Sequence, residues 1–219
     1  MTKISIKQFF TTAMLYSVIK YIVMGMGAIK SFYIADSLGA TLLGSYAIII
    51  LIVEYLNYSN LGVFAAMNRD VAISLGDKTK NNKIKEILNT SFTFAIIPPL
   101  IIFLIFLFIS VFLPSFAPKE FYQYTWTMLI MITLYQYKIF LLRYMRLYSR
   151  YYTLALLEFF TQLITLIGII VFIESYSINA ILWSIIGSNI FFVSLGLLFT
   201  KSLQLNLDFK LVKYLIITG

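Results

Sequence analysis

The sequence predicts an all-α, polytopic membrane helix bundle with six transmembrane helices and the start of a seventh. Of its 219 residues, 61% are hydrophobic and only 12% are charged, which leaves too little polar surface to cover a soluble domain of this size. Apolar stretches of about 20 residues, long enough to cross roughly 30 Å of hydrocarbon, recur along the chain. Because the gaps between them are short, we expect residues 1–219 to form a single six-helix membrane bundle.

The six predicted spans lie at 11–35, 42–68, 87–113, 122–141, 153–173 and 179–200. The first is interpreted as a retained helix, because the apolar run behind the basic segment 1–7 exceeds the length of a signal-peptide core. The segment 211–219 is apolar but too short to span, so we interpret it as the beginning of a seventh helix.

Two spans carry sequence features that shape helices. Pro98 and Pro99 remove backbone donors inside the third span and predict a kink or break there. In the sixth span, Ser184, Gly187 and Ser188 have the spacing of small residues that allows two membrane helices to pack closely.

Basic residues are distributed asymmetrically between the two sides of the predicted bundle. If alternate connections face the same compartment, Lys119 lies alone on one side and twelve basic residues lie on the other. These twelve are Lys3, Lys7, Lys78, Lys80, Lys83, Lys85, Arg143, Arg146, Arg150, Lys201, Lys210 and Lys213. The positive-inside rule then places both ends of the chain in the cytoplasm. Membrane topology thus explains the net charge of +8 without a nucleic-acid partner.

The composition also excludes several kinds of chemistry. The chain contains no cysteine and no histidine, so it has no disulfide, no thiolate metal site and no histidine base or ligand. The outer connections are too short to fold as a domain that holds catalytic residues. We therefore expect a protein that is not an enzyme, has no cofactor or metal, and functions through its bundle.

Two lysines lie inside the first span. Lys20 is about nine residues from the start of the span and so about 14 Å deep, where a lysine costs roughly 2.5–3.5 kcal/mol unless it faces a bundle interior or a wet cavity. Lys20 therefore predicts an anion-binding site. Lys30 lies nearer the outer end and has two open interpretations, a snorkelling anchor or a second ligand of that site.

Two glutamates are candidates for the counter-ion or for coupling to an ion. Glu54 belongs to a run of polar residues at helical spacing that continues to Asn68 and predicts one polar face along the second span. It is placed to neutralise Lys20 or Lys30 from the neighbouring helix. Glu158, in the fifth span, heads a narrower polar stripe that must face protein or water, and it is a candidate for proton or ion coupling as well as for a lysine counter-ion.

Arg69 and Lys138 are the remaining candidate anion ligands. Arg69 lies at the cytoplasmic boundary of the second span, where an interfacial anchor is the alternative interpretation. Lys138 approaches the cytoplasmic end of the fourth span and is followed by Arg143, Arg146 and Arg150, which either follow the positive-inside rule or gather anionic headgroups.

Several segments resemble a known transporter family. Residues 27–39 (GAIKSFYIADSLG), 44–46 (GSY), 61–63 (LGV) and 68–69 (NR) resemble the first two spans of the polysaccharide and lipid-linked oligosaccharide flippases, within the multidrug, oligosaccharidyl-lipid and polysaccharide exporter superfamily. The resemblance is confined to roughly residues 16–76. It includes a lysine at Lys30 where relatives often have arginine, so charge is kept but bidentate phosphate geometry is lost.

The resemblance implies an architecture and a substrate. Members of this superfamily have twelve to fourteen helices in two six-helix halves around a cavity, so the chain would be an N-terminal half. The implied substrate is an undecaprenyl-pyrophosphate-linked oligosaccharide at the bacterial inner membrane, with Lys30 and Arg69 at the pyrophosphate. Membrane lipids and polysaccharide-assembly proteins are the implied partners.

The leading functional expectation is therefore a flippase component for surface polysaccharide, such as lipopolysaccharide O-antigen. The alternatives are a cation-coupled multidrug exporter that uses Glu54 or Glu158, a membrane glycan polymerase or transferase, and a structural or assembly subunit. An excess of basic residues in the bundle argues against cationic drugs, and the lack of histidine and of an extramembrane domain argues against the enzymes.

Overall fold

A computed structural model describes residues 6–76, 81–112, 119–200 and 203–219. All regular secondary structure in these ranges is helical, which confirms the all-α prediction. The helices are α1 (Ile6–Asn57), α2 (Val63–Ser74), α3 (Asn81–Phe94), α4 (Ile97–Phe112), α5 (Lys119–Leu147), α6 (Tyr151–Tyr176), α7 (Ile178–Leu198) and α8 (Phe209–Thr218). The basic residues Lys3, Lys78, Lys80 and Lys201 lie outside the described ranges.

Five helical segments of the described chain are long and apolar enough to cross a bilayer. They are Met14–Asn60, Asn81–Ile109, Phe121–Leu147, Tyr151–Tyr176 and Ile178–Leu198. The protein is therefore a membrane helix bundle. Large apolar side chains remain exposed on it, among them Phe32 at 78% and Val111 at 62%, and such surfaces suit contact with lipid.

Helix α1 contains the first two predicted spans, separated by a break. Gly39 has φ 65° and ψ 174°, a backbone conformation that is nearly confined to glycine. Lys20 interacts electrostatically with Lys138, and Asn57 accepts a hydrogen bond from Gln136, two residues before Lys138. Lys20 and Asn57 are thus at a similar level, although a straight helix would separate them by about 55 Å. The chain therefore reverses at Gly39, and α1 comprises an N-terminal arm (6–38) and a C-terminal arm (40–57).

The predicted second span is too long. The C-terminal arm ends at Asn57, and a short 3-10 turn leads to Leu61 (φ 48°) and Gly62 (φ 78°), both left-handed. Helix α2 begins only after this turn. The prediction of one continuous polar helix face from Glu54 to Asn68 is therefore wrong, because left-handed residues interrupt the helical periodicity.

The third span is broken where its two prolines predict. Helix α3 ends at Phe94 and α4 begins at Ile97, so Pro98 and Pro99 occupy the first turn of α4. Amide groups in a first turn have no partner within the helix, so proline removes no hydrogen bond there. The break confirms the prediction for this span.

Helices α6 and α7 form a close antiparallel pair. The Thr165 hydroxyl donates to the Ser188 hydroxyl over 2.7 Å, and one turn further along α6, Gly168 packs against Ser184. A Cβ atom at Gly168 would lie 2.6 Å from the Ser184 oxygen. The predicted small-residue contact is therefore confirmed for the two serines, whereas Gly187 has no atom within 4 Å of its virtual Cβ and takes no part.

Helix α5 lies parallel to α7. Lys138 contacts Asn189, and three residues later Leu141 packs against Gly196. Because α6 is antiparallel to α7, α5 and α6 also point in opposite directions. Lys138 of α5 therefore lies beside the first turns of α6, where Glu158 is found.

Candidate anion-binding site

An ion pair joins the N-terminal arm of α1 to α6. Lys20 Nζ lies 2.6 Å from Glu158 Oε2, with side-chain exposures of 33% and 13%. The same helix face brings Gly27 against Gln162, so the two helices run parallel and the polar residues Glu158 and Gln162 of α6 face the N-terminal arm. Glu158 Oε2 is shut off from water and accepts no well-aligned hydrogen bond among the described residues. Pairing with Lys20 is therefore the compensation for burying this carboxylate.

Of the two glutamates that the sequence offered as lysine counter-ions, Glu158 and not Glu54 pairs with Lys20. Glu54 is exposed near the end of the C-terminal arm of α1 and forms no ion pair with a described residue. Its electrostatic partners are Tyr46 and Tyr135. The expected pairing of Glu54 with Lys20 or Lys30 is thus wrong in this structure, and the reason is the packing of α6 against the N-terminal arm.

Lys138 is held by a polar and aromatic environment. Its half-buried ammonium donates to Asn189 Oδ1 over 2.8 Å. The same ammonium lies 5.4 Å from the ring centroid of Phe192 and 5.7 Å from that of Tyr135, within cation–π range. The Tyr135 hydroxyl shares a hydrogen bond with Asn189. Asn189, which is 2% exposed, therefore connects α5 to α7 and fixes the position of the lysine.

Three lysines form the centre of the site, and we call Lys20, Lys30 and Lys138 the lysine cluster. Lys138 interacts electrostatically with the other two lysines and with Glu158. Lys30 is half-buried and makes no hydrogen bond or ion pair with any residue that the structure describes. The surroundings of Lys138 thus contain two further positive charges and one carboxylate, which is already paired with Lys20. Such an excess inside a bundle favours the binding of an anion, because each charge acts more strongly there than in water.

Arg69 belongs to a different part of the molecule. Its Nε donates to Asp70 Oδ1 over 2.8 Å, and its Nη1 donates to the Thr218 carbonyl of α8 over 2.6 Å. The hydrogen bond to Asp70 raises the pKa of the Arg69 guanidinium above its already high value. None of its described partners is in the lysine cluster. The structure therefore brings together Lys20, Lys30, Lys138 and Glu158, and places Arg69 at the contact between α2 and α8.

A polar cleft lies beside the cluster. It has a volume of about 790 Å³, and we call it the tyrosine cleft. It is lined by Leu51, Glu54, Tyr55, Asn57, Tyr58, Asn60, Ile139 and Arg143. Glu54 of this cleft interacts electrostatically with Tyr135, which is bonded to the Asn189 that holds Lys138. The cleft and the cluster are thus neighbouring parts of one polar region.

Two residues of this region were missed or given another role by sequence reasoning. Asn189 was not singled out, although a lone amide in an apolar helix, directly after Ser188, is the available signal. Arg143 was interpreted through topology, whereas it is half-buried and lines the tyrosine cleft. Both roles depend on which helices pack together, and periodicity within one helix does not contain that information.

The fold and its apolar helices define the class of this chain as a polytopic membrane helix bundle. Among the described residues, no group of three or more acidic, histidine or cysteine side chains is positioned to hold a metal ion. Comparison of the chain with protein-family models, with curated proteins and with solved structures finds no match.

Proposed function

We propose that this chain is the membrane-embedded part of a flippase. It moves an oligosaccharide linked to undecaprenyl pyrophosphate across the bacterial inner membrane for surface polysaccharide biosynthesis. One observation carries the proposal: inside the bundle, Lys138 lies within electrostatic range of both Lys20 and Lys30, and the carboxylate near it, Glu158, is paired with Lys20.

The charge of the lysine cluster selects the chemistry of its ligand. A pyrophosphate diester carries two negative charges, which match the excess of two positive charges that Glu158 leaves in the cluster. Lysine ammonium groups act as point charges on phosphate and do not require a fixed fork geometry. The prenyl chain stays in lipid along the exposed apolar helix faces, while the headgroup enters the bundle.

Transport requires that the headgroup bind two conformations with different strength. A ligand with equal affinity for both states shifts no equilibrium. In the proposed scheme, Glu158 and the pyrophosphate compete for Lys20. The ion pair is kept in the state described here and is exchanged for substrate contacts in the loaded state.

The proposal includes an orientation and partners. Both ends of the chain lie in the cytoplasm, on the side where the basic residues are concentrated. Polysaccharide-assembly proteins receive the transported glycan. A cation-coupled multidrug exporter is less well supported, because a cationic drug would meet three lysines.

Binding of a short prenyl pyrophosphate tests the site directly. The chain is reconstituted in nanodiscs of neutral lipid, and the dissociation constant of farnesyl pyrophosphate is measured as a function of salt. Each of K20Q, K30Q and K138Q should weaken binding about tenfold, as loss of about 1.4 kcal/mol predicts. Lys213 is exposed on α8, so K213Q is the matched control and should bind as the wild type does. Equal affinity of the three cluster variants and wild type would refute the anion site.

Translocation is tested separately in vesicles. A fluorescent prenyl-pyrophosphate-linked sugar is placed in both leaflets, and a membrane-impermeant quencher reports its movement without ATP. Wild-type chain should make the inner-leaflet pool accessible, and K138Q should not. Transport of a cationic dye in place of the lipid-linked sugar would overturn the flippase assignment in favour of a multidrug exporter.

A further inference from the structure

The tyrosine cleft has the size and composition of a ligand site. Its volume of about 790 Å³ lies within the range of about 300–1,000 Å³ that holds small ligands in proteins. It is formed where the C-terminal arm of α1 ends and the second half of α5 passes it. The other large cavities of the described chain have predominantly apolar linings, such as the one around Phe103 and Trp126, whereas this cleft combines aromatic, amide and charged groups.

Two tyrosines line the cleft and are unusually open. Tyr55 is 70% exposed and Tyr58 is 80% exposed. They lie three residues apart across the end of α1, one on the helix and one on the 3-10 turn. An aromatic ring offers a flat apolar face, on which the flat apolar face of a ligand can be buried while polar edges stay in water.

The two charged groups of the cleft lack a close polar partner among the described residues. Glu54 and Arg143 both line it, yet neither forms an ion pair or a hydrogen bond with any residue that the structure describes. The cleft therefore offers acceptors and donors that are not paired with one another, which is what a ligand rich in hydroxyl groups requires.

We propose that the tyrosine cleft binds pyranose units of a glycan. Tyr55 and Tyr58 stack on the apolar faces of the sugar rings, Glu54 accepts hydrogen bonds from hydroxyls, and Arg143 donates to hydroxyl or ring oxygens. This assignment rests on the proposed function, since it places the sugars of the same substrate. The connection through Tyr135 and Asn189 puts them next to the lysine cluster, as a headgroup in which sugar follows phosphate requires.

The test uses free sugars that carry neither lipid nor phosphate. Maltotriose, tri-N-acetylchitotriose and trigalacturonate are added to the chain in nanodiscs of neutral lipid, and saturation-transfer NMR detects contact with protein. At least one trisaccharide should receive saturation from wild type. In Y55A and Y58A its affinity should fall about tenfold, because the stacking faces are lost, whereas Y58F should retain it.

The matched control is a tyrosine of similar exposure outside the cleft. Tyr21 is 74% exposed on the N-terminal arm of α1, so Y21A should leave the signal unchanged. If none of the three trisaccharides contacts wild type, or if Y21A weakens contact as much as Y58A does, the tyrosines are lipid anchors and the proposal is overturned.

A cross-comparison separates this proposal from the flippase assignment. K138Q should lose affinity for farnesyl pyrophosphate and keep the trisaccharide, and Y58A should do the reverse. If K138Q keeps its affinity for farnesyl pyrophosphate, the anion site is refuted. If Y58A keeps its affinity for the trisaccharide, the glycan cleft is refuted, even where lipid-linked sugar is still transported.

Discussion

Lys138 of α5 donates to Asn189 of α7 over 2.8 Å, and this contact decides where the positive charge of the site lies. The amide is almost fully buried and binds the ammonium at the level of the Lys20–Glu158 ion pair. A lysine free to snorkel would leave this position for the nearer interface. The hydrogen bond therefore holds a cation inside the bundle, where it can meet an anionic headgroup.

Replacement of Asn189 by leucine should destabilise the bundle. N189L removes the acceptor of a half-buried ammonium, and the expected loss is about 1–3 kcal/mol in the free energy of unfolding. Titration with SDS in mixed micelles measures it. Asn179 is exposed on the same helix, so N179L should be neutral or stabilising. A loss in N189L no greater than that in N179L would show that the Lys138 contact contributes nothing.

The Lys20–Glu158 pair should behave as a coupled unit. K20M and E158Q each leave one charge without its partner, so each should reduce the free energy of unfolding, and the double variant should lose less than the two combined. We expect a coupling energy of about 0.5–3 kcal/mol from the double-mutant cycle. Additive losses would mean that the two side chains do not interact in the folded protein.

The same pair should tune the affinity for anions in opposite directions. E158Q removes the carboxylate that competes for Lys20 and should strengthen farnesyl pyrophosphate binding several-fold, whereas K20Q should weaken it. Both differences in affinity from the wild type should become smaller as the salt concentration is raised, because screening weakens each electrostatic interaction. A decrease in affinity in E158Q would indicate that the glutamate takes part in substrate binding instead of opposing it.

Gly168 should not tolerate even a methyl group. A Cβ atom there would meet the Ser184 side chain at 2.6 Å, so G168A forces the serine side chain or the two helices to shift, at a cost of about 1–3 kcal/mol. Gly25 has no neighbouring atom within 4 Å of its virtual Cβ, and G25A is the control. Thermal unfolding in detergent should show a lower midpoint for G168A alone. Equal midpoints would contradict the close contact.

The reversal at Gly39 predicts a short distance between the two arms of α1. The natural chain contains no cysteine, so spin labels at Y21C and Y55C report a single distance by pulsed electron paramagnetic resonance. A straight helix would separate these positions by about 50 Å, and the reversed chain should give well under this value. A distance near 50 Å would show that the arms do not fold back.

The sequence predicted the fold class because composition and span length depend on each segment separately. The long apolar helices, the proline break after α3 and the serine contact on α7 follow from local rules, and the structure contains them. The end of the second span was predicted wrongly, since Leu61 carries no sequence signal for its left-handed conformation. The candidate site was predicted in part: Lys20, Lys30, Lys138 and Glu158 were named, with Glu158 as a candidate lysine counter-ion, but Asn189 as the partner of Lys138 was not.

By itself, the sequence determined that this protein is an all-α membrane bundle with cations placed where lipid would not tolerate them. Only the packing of the helices shows that Glu158 and not Glu54 neutralises Lys20. It also shows that Asn189 binds Lys138 and that Arg69 donates a hydrogen bond to α8. The physical reason is that burial cost is a property of one residue in one span, whereas compensation depends on which helix packs against it. Helix periodicity predicts which face of a helix is buried. Which neighbouring helix buries it depends on the tertiary packing.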